Sequence, residues 1–366
     1  MTVTVACEIN PVFECTDLLT RFMSGESYAV LKKEIQSKLG IKMPQIEEML
    51  DFLQTVSKGI TAEFRKSDDA LQLLFTGFGD MDKTPAKAIL QFYGDFSEQD
   101  PRKIGEGALA AFQESPFSFL YSMLDNYEFL DSSTFKKSEN ETDILKLMKA
   151  CSMDDREKWV LLSFYHNFSY YVERLVEILK KAIALFEQYL PALSPLTQPF
   201  FADFPQKVNT ATIHKYMVEN FHLNLPDSHD IFIQPSLFSC SKLQYLEAES
   251  PDRFSNILWG IHFEDIFVNQ IKWNSSTYLC NNLKILSDKS KFDILRLLAS
   301  HRSYGGEIAK KLNLTTGTIT YHMQALVNSQ FVSVDKRGYR TYYELNRKTL
   351  DDFLEQVKKR LLQGEK

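Results

Sequence analysis

Apolar residues recur at intervals of three and four from residue 16 to about residue 220, and this period constrains the fold most. Such spacing gathers apolar side chains on one face of an α-helix, whereas a strand places them at every second residue. One clear stripe is Ile46, Met49, Leu50, Leu53 and Val56. The stretch 152–189 suits one long helix or two. Four prolines between residues 191 and 205 predict an irregular connection after it.

Short runs with a period of two lie at the start of the chain and after residue 230. The opening run alternates Val3, Val5, Cys7 and Ile9, and the later runs are 231–235, 243–247 and 256–264. Turn residues separate these runs, so we expect strands rather than helices. We expect them to pair as a small antiparallel sheet that can include the opening strand. The predicted fold class is mostly α with small antiparallel β elements.

Charge divides the chain into two unequal parts. Residues 283–366 carry 16 Lys and Arg against 9 Asp and Glu, a balance of +7, whereas residues 1–282 have a balance of −13. The basic carboxyl end can bind a polyanion, while the acidic body would repel one. A chain of 366 residues has room for two domains. We place their boundary between residues 272 and 273.

Several classes of protein receive no support from the sequence. No apolar run approaches the roughly 20 residues that span a bilayer. The amino terminus lacks a basic leader, so we expect a cytoplasmic protein with no membrane partner. The five cysteines are scattered without a CxxC pair, which indicates reduced thiols. Histidines at ligand spacing, a P-loop, a dinucleotide fingerprint and a nucleophile elbow are all missing, so we expect no metal site, no cofactor and no enzyme activity.

The carboxyl-terminal part predicts two short helices joined by a tight turn. A helix at 292–299 precedes them, with Ile294, Leu295 and Leu298 inside. The first helix of the pair spans 307–312, and the turn is Asn313-Leu314-Thr315. The hydroxyl of Thr315 can cap the next helix.

The second helix of the pair, from residue 316 to about 329, has two different faces. Its inner face would bury Ile319, Met323, Leu326 and Val327. Its outer face would carry Thr316, Thr320, Tyr321 and Gln324, with Thr315 and Thr318 at the helix start. A short helix pair whose second member presents uncharged polar groups suits the major groove of DNA.

A basic hairpin and a last helix follow. Strands at 331–335 and 340–345 are predicted around Lys336-Arg337-Gly338-Tyr339, and with Arg340 the tip carries three cations that can reach phosphates or the minor groove. The last helix, 350–362, would bury Leu350, Phe353, Leu354, Val357 and Leu361 or their near neighbours. On so small a domain this helix would suit a dimer interface.

Four ordered segments carry a resemblance to a known family: 287–298 (SDKSKFDILRLL), 307–314 (EIAKKLNL), 318–323 (TITYHM) and 338–343 (GYRTYY). From about residue 283 to 347 the chain resembles the DNA-binding domain of the ArsR (arsenical-repressor) family of winged helix-turn-helix regulators. The resemblance implies a homodimer on a palindromic operator. By position it also implies recognition roles for Thr316, Thr320, Tyr321 and Gln324.

The chain departs from that family at the places where its members bind metals. Where many of them carry a cysteine pair, this chain has Tyr304-Gly305-Gly306, and no histidine follows His322. Metal sensing at those positions is therefore not expected. The amino-terminal extension is similar to those of some ArsR-like regulators, but the similarity names no ligand.

The sequence thus predicts a sequence-specific regulator of transcription. A large, mainly helical domain at 1–272 would sense an unknown effector, for which a small molecule is a candidate, and a winged helix-turn-helix at 273–366 would bind double-stranded DNA and dimerise. The expected DNA contacts are Thr315, Thr316, Thr318, Thr320, Tyr321, Gln324, Lys336, Arg337, Tyr339 and Arg340. Two alternatives stay open: the winged helix is a protein-interaction module beside an active amino-terminal domain, or an enzyme occupies residues 1–270.

Overall fold

The computed structural model describes residues 2–39, 44–78, 83–93, 96–127, 129–130, 143–221, 223–225, 230–246, 254–271, 276–337 and 340–362. The strands are β1 (Val3–Val5), β2 (Leu223–Asn224), β3 (Ile231–Ser236), β4 (Leu243–Leu246), β5 (Ser255–Gly260), β6 (Ser303–Tyr304), β7 (Val332–Arg337) and β8 (Arg340–Leu345). The helices before β2 are α1 (Pro11–Ser24), α2 (Tyr28–Leu39), α3 (Pro44–Thr61), α4 (Asp69–Phe75), α5 (Pro85–Tyr93), α6 (Pro101–Glu114), α7 (Pro116–Asn126), α8 (Ile144–Ala150), α9 (Asp155–His166), α10 (Phe168–Phe186), α11 (Leu190–Lys207) and α12 (Ile213–Phe221). Those after β5 are α13 (Phe263–Ile271), α14 (Ser276–Ser287), α15 (Lys289–Ser300), α16 (Gly305–Leu312), α17 (Thr316–Asn328) and α18 (Arg347–Leu362).

The chain divides into two compact units. Unit 1 comprises Met1–Lys33, Met43–Thr210 and Ser228–Phe263, and unit 2 comprises Glu34–Lys42, Ala211–Asp227 and Glu264–Lys366. The predicted boundary between residues 272 and 273 falls outside the described residues and stays a prediction. The mostly α character is confirmed, and the stretch 152–189 contains two main helices, α9 and α10. Among the described residues, no helix combines the length and apolar character that crossing a membrane requires.

The sheet of unit 1 is mixed, with the strand order β1-β3-β5-β4. The opening strand joins it, but the prediction of an antiparallel sheet is wrong for two of its pairings. β1 runs parallel to β3 and β3 parallel to β5, and the antiparallel pair here is β4–β5. Both β3 and β5 are buried along most of their length, as strands of parallel sheets are. Alternating hydrophobicity carries no information on strand direction, which is why the sequence did not predict it. The predicted strand at 256–264 is also too long, because β5 ends at Gly260.

The proline-rich stretch is helical, which contradicts the predicted irregular connection. Helix α11 contains Pro195, Pro199 and Pro205. A proline inside a helix removes one backbone hydrogen bond and crowds the carbonyl four residues earlier. All three prolines are exposed, so water can satisfy the carbonyls that they free. Leu193 and Phe204, which are buried, anchor the opposite side of the helix.

Helix α1 is buried along most of its length, charged residues included. Its Asp17 carboxylate lies 2.7 Å from the ammonium of Lys87 on α5, and both side chains are almost fully buried. The second oxygen of Asp17 accepts a hydrogen bond of 2.6 Å from the hydroxyl of Ser239. Because buried polar atoms are stable only when paired, these contacts fix α1 to α5 and to the loop after β3.

Unit 2 is organised around one apolar cluster and a second sheet. The cluster joins α14 to α18 with the hairpin β7–β8 and includes Ile294, Leu298, Ile308, Ile319, Met323, Leu326, Phe331 and Phe353. Its sheet has the order β2-β7-β8-β6. The hairpin is confirmed, whereas β2 and β6 were not predicted, since strands of two residues leave no periodic signal. In α18, Phe353 is fully buried, but Leu354 and Leu361 are 48% and 76% exposed, against their expected burial.

Candidate nucleic-acid interface

The candidate site begins at the turn between α16 and α17. Asn313 ends α16 in the left-handed conformation, with φ of 53°, which asparagine tolerates better than most residues. Thr315 caps α17: its hydroxyl oxygen accepts a hydrogen bond of 3.1 Å from the backbone N–H of Thr318. The cap predicted from the sequence is therefore confirmed, and it fixes the direction in which α17 leaves the turn.

Helix α17 has the two faces that the sequence predicts. Ile319, Met323 and Leu326 are buried in the apolar cluster, and Val327 packs against it. On the other side Gln324 is exposed and Tyr321 is 71% exposed, while Thr316 and Thr320 are half-buried. The polar candidates Thr316, Thr320 and Gln324 are four residues apart and so form one row along the helix.

Hydrogen bonds within α17 determine which donor and acceptor atoms of each polar side chain remain available to an outside partner. The hydroxyls of Thr315 and Thr318 lie 2.8 Å apart and bond to each other, so both serve the helix start. The hydroxyl of Thr320 donates to the carbonyl of Thr316 at 3.0 Å, which leaves its oxygen free to accept. The amide of Gln324 donates to Asn328 at 3.0 Å and keeps its own carbonyl oxygen for an outside donor.

A charged pair at the start of α15 lies against the middle of α17. Asp288 caps α15, accepting from the backbone N–H of Lys291, and also binds the Lys291 ammonium at 3.0 Å. That ammonium is 5.7 Å from the centroid of the Tyr321 ring. The next residue, His322, is buried; burial lowers its pKa, as does the positive charge of Lys291 nearby, whereas Asp288 opposes the shift. His322 is thus a packed residue rather than a surface group. Sequence reasoning missed Lys291, because it lies thirty positions from Tyr321.

The hairpin is described up to Arg337 at the end of β7 and from Arg340 at the start of β8. The register of β7 and β8 places Arg337 opposite Arg340, with two residues between them. Tyr339 lies outside the described residues, as do the side chains of Lys336, Arg337 and Arg340, so their predicted roles stay predictions. In the described part of the chain, no group of three or more His, Cys, Asp and Glu residues is arranged to hold a metal ion.

Comparison with known proteins gives three similar repressors. The chain is 33% identical over 75 residues to the arsenical resistance operon repressor of Staphylococcus aureus, which covers 20% of this chain and 72% of that protein. The corresponding protein of Staphylococcus xylosus is 33% identical over 69 residues, 19% of this chain and 66% of that one. The transcriptional repressor SdpR of Bacillus subtilis is 32% identical over 72 residues, 20% and 80% respectively. No family model and no solved structure matches.

These relatives are transcriptional repressors by name. Because the aligned part spans more than two thirds of two of them, this chain belongs to the ArsR (arsenical-repressor) family. The aligned part is one fifth of the chain, so the similarity does not account for the long remainder.

Proposed function

We propose that this chain is a sequence-specific, double-stranded-DNA-binding regulator of transcription, in which α14 to α18 and their hairpin form a winged helix-turn-helix. The observation that carries the proposal is α17, a helix with one face in the apolar cluster and an outer row of uncharged hydrogen-bonding groups. Such groups can read base edges in the major groove, while cations supply affinity through phosphates. The similarity to named repressors and the +7 balance of residues 283–366 support the same role.

The hairpin cations are expected to supply affinity without sequence preference. Replacing Arg337 and Arg340 together by alanine should weaken binding on every duplex, because two phosphate contacts are lost. The slope of log affinity against log salt should fall in magnitude by about 2, since each contact contributes roughly 0.9. Fluorescence anisotropy over a salt series measures both quantities. The matched control replaces Lys149 and Lys180, two exposed lysines of unit 1, and should leave the slope unchanged. Equal slopes for both double variants would exclude phosphate contacts at the tip.

The outer row of α17 is expected to supply sequence preference. Because the Thr320 hydroxyl already donates to Thr316, it can only accept, and it therefore suits an amino group of adenine or cytosine. Thr320→Ala or Tyr321→Ala should change which duplex is preferred when variants select from a randomised DNA pool. Because each of these contacts is a single hydrogen bond, its loss should reduce discrimination by about 0.5–1.5 kcal/mol. An equal loss of affinity on all duplexes would remove the base-reading role.

A homodimer on a palindromic operator is part of the proposal. Leu354, Leu361 and Leu362 on α18 are exposed, and an isolated domain gains nothing from apolar groups in water. A second copy of the chain would cover them and would place two α17 helices about one DNA turn apart. Replacing Leu361 by glutamate should yield a monomer in sedimentation experiments, with weaker binding to paired half-sites.

Unit 1 is proposed to sense an effector in the cytoplasm rather than to catalyse a reaction. A small cleft of about 20 Å³, room for about one water molecule, lies beside the Asp17–Lys87 pair, and an effector larger than water would have to widen it. Phe13, Asp17, Lys87, Phe96 and Gln244 border it, so it combines apolar walls with a buried ion pair.

If the protein binds no duplex at low salt, the helix pair α16–α17 is instead a protein-interaction module.

A further inference from the structure

We propose that Lys291 is a positioning residue for base reading: held by Asp288, its ammonium supports the ring of Tyr321 and fixes the direction in which the phenol leaves α17. This inference rests on the proposed function, because it concerns how the DNA-binding face is built. It adds a residue outside α17 to the set that determines sequence preference.

The geometry has three linked contacts. The Lys291 ammonium is 3.0 Å from the Asp288 carboxylate, and Asp288 is itself fixed because it caps α15. The same ammonium lies 5.7 Å from the centroid of the Tyr321 ring, within the range over which a cation is attracted to an aromatic face. Tyr321 is 71% exposed, and its ring also meets the ring of His322 edge-on, with 5.5 Å between the two centroids. Lys291 lies over the ring and so helps to set its direction.

The surroundings of Lys291 argue against a direct phosphate contact. Its side chain is only 10% exposed, and the carboxylate of Asp288 already neutralises its charge. A lysine that binds phosphate needs an exposed ammonium that can release a counterion from the DNA. The structure thus gives Lys291 a role through Tyr321 and not one of its own.

The exposed and buried faces of α17 meet near Lys291, at Tyr321 and His322. His322, the residue after Tyr321, is buried and close enough to the same charged pair that its two members act on the His322 pKa in opposite directions. Lys291 thus lies near the part of α17 where the exposed and buried faces of the helix join. A change there alters the orientation of an exposed ring without removing any part of the apolar cluster.

The experiment is a double-mutant cycle on the full chain. The probe is the duplex that the wild-type protein selects from a randomised pool, together with its single-base variants. Lys291→Met keeps an unbranched apolar side chain of nearly the same length and removes its charge. It should reduce discrimination between these duplexes by about two- to fivefold, the size of an exposed cation–π contact. In the Tyr321→Ala background the same change should have no further effect on discrimination.

Three companion variants make the result specific. Lys291→Arg keeps a cation that can stack on the ring and should retain wild-type discrimination. Lys289→Met, which removes an exposed charge from the same helix, should leave discrimination unchanged. Asp288→Asn preserves the helix cap but releases the Lys291 ammonium from its carboxylate, so it should also reduce discrimination. It takes the place of Lys291→Met as the test if that variant folds poorly.

The outcomes distinguish failure of the positioning role of Lys291 from failure of the proposed DNA-binding function. Loss of discrimination with an unchanged salt slope supports the positioning role. Undiminished discrimination in Lys291→Met, or a fall of about 0.9 in the salt slope, overturns it while leaving DNA binding intact. If the wild-type protein selects no duplex at all, the proposed function itself fails, and the positioning role fails with it.

Discussion

Replacing Asp17 by alanine is expected to reduce the free energy of unfolding of unit 1 by about 3–5 kcal/mol, the usual cost of breaking a buried ion pair. The variant would leave the Lys87 ammonium without its carboxylate at a site that is almost fully buried. It would also remove the acceptor of the Ser239 hydroxyl. The cost therefore combines the desolvation of a charge with the loss of a hydrogen bond.

The double variant Asp17→Leu with Lys87→Met removes both charges. It therefore tests whether the loss of stability in Asp17→Ala comes from the charge that remains on Lys87. Apolar side chains of similar size can replace a buried pair at little cost, so it should recover most of the lost stability. Denaturant unfolding can be followed by the fluorescence of Trp259, a fully buried residue of unit 1 in contact with Phe204. A loss below about 1 kcal/mol in Asp17→Ala would mean that water reaches the pair, as at exposed ion pairs.

Local features of the fold could be predicted from the sequence. The Thr315 cap, the buried row of α17 and the β7–β8 hairpin each depend on residues close together in the chain. Their periods and turn residues are visible without knowledge of distant partners. The exposure of Tyr321 and Gln324 follows from the same helical period.

Features that depend on distant partners could not be predicted. The parallel pairing of β1 with β3 joins residues more than two hundred positions apart, and no local pattern encodes it. The helical state of α11 depends on which side of it faces solvent, which the prolines alone do not reveal. In the candidate site, the contact between Lys291 and Tyr321 was missed for the same reason.

Buried polar residues were the largest gap in the sequence reasoning. Glu14, Asp17 and Arg21 lie on one helix and are all buried, although charged residues ordinarily mark the solvent face. Their partners come from α5, from the loop after β3 and from Glu26 and Tyr28 at the turn into α2, so these side chains are paired only in the folded chain. Such polar clusters depend on complete pairing, which makes unit 1 sensitive to pH as well as to substitution.

Glu14 provides the second large expected effect, a loss of stability as pH rises. Its two carboxyl oxygens accept backbone N–H groups from Leu237 and Phe238 at 2.9 and 2.7 Å, which favour the ionised form. Complete burial opposes them and dominates, raising the pKa from 4.5 to about 8. Between these two values the unfolded chain has lost the proton while the folded chain keeps it. Folding then becomes less favourable by up to about 1.4 kcal/mol per pH unit.

The contribution of Glu14 can be isolated by comparing the wild-type protein with Glu14→Gln. Glutamine does not titrate, so the wild-type stability minus that of the variant should fall by about 4 kcal/mol between about pH 5 and about pH 8. Any cost of placing an amide beside two N–H donors is independent of pH and shifts the whole difference curve without changing its slope. Trp259 fluorescence in denaturant, repeated across the pH series, provides both curves. A difference that stays level or rises with pH would show that the two backbone donors outweigh burial and keep Glu14 ionised in the folded chain.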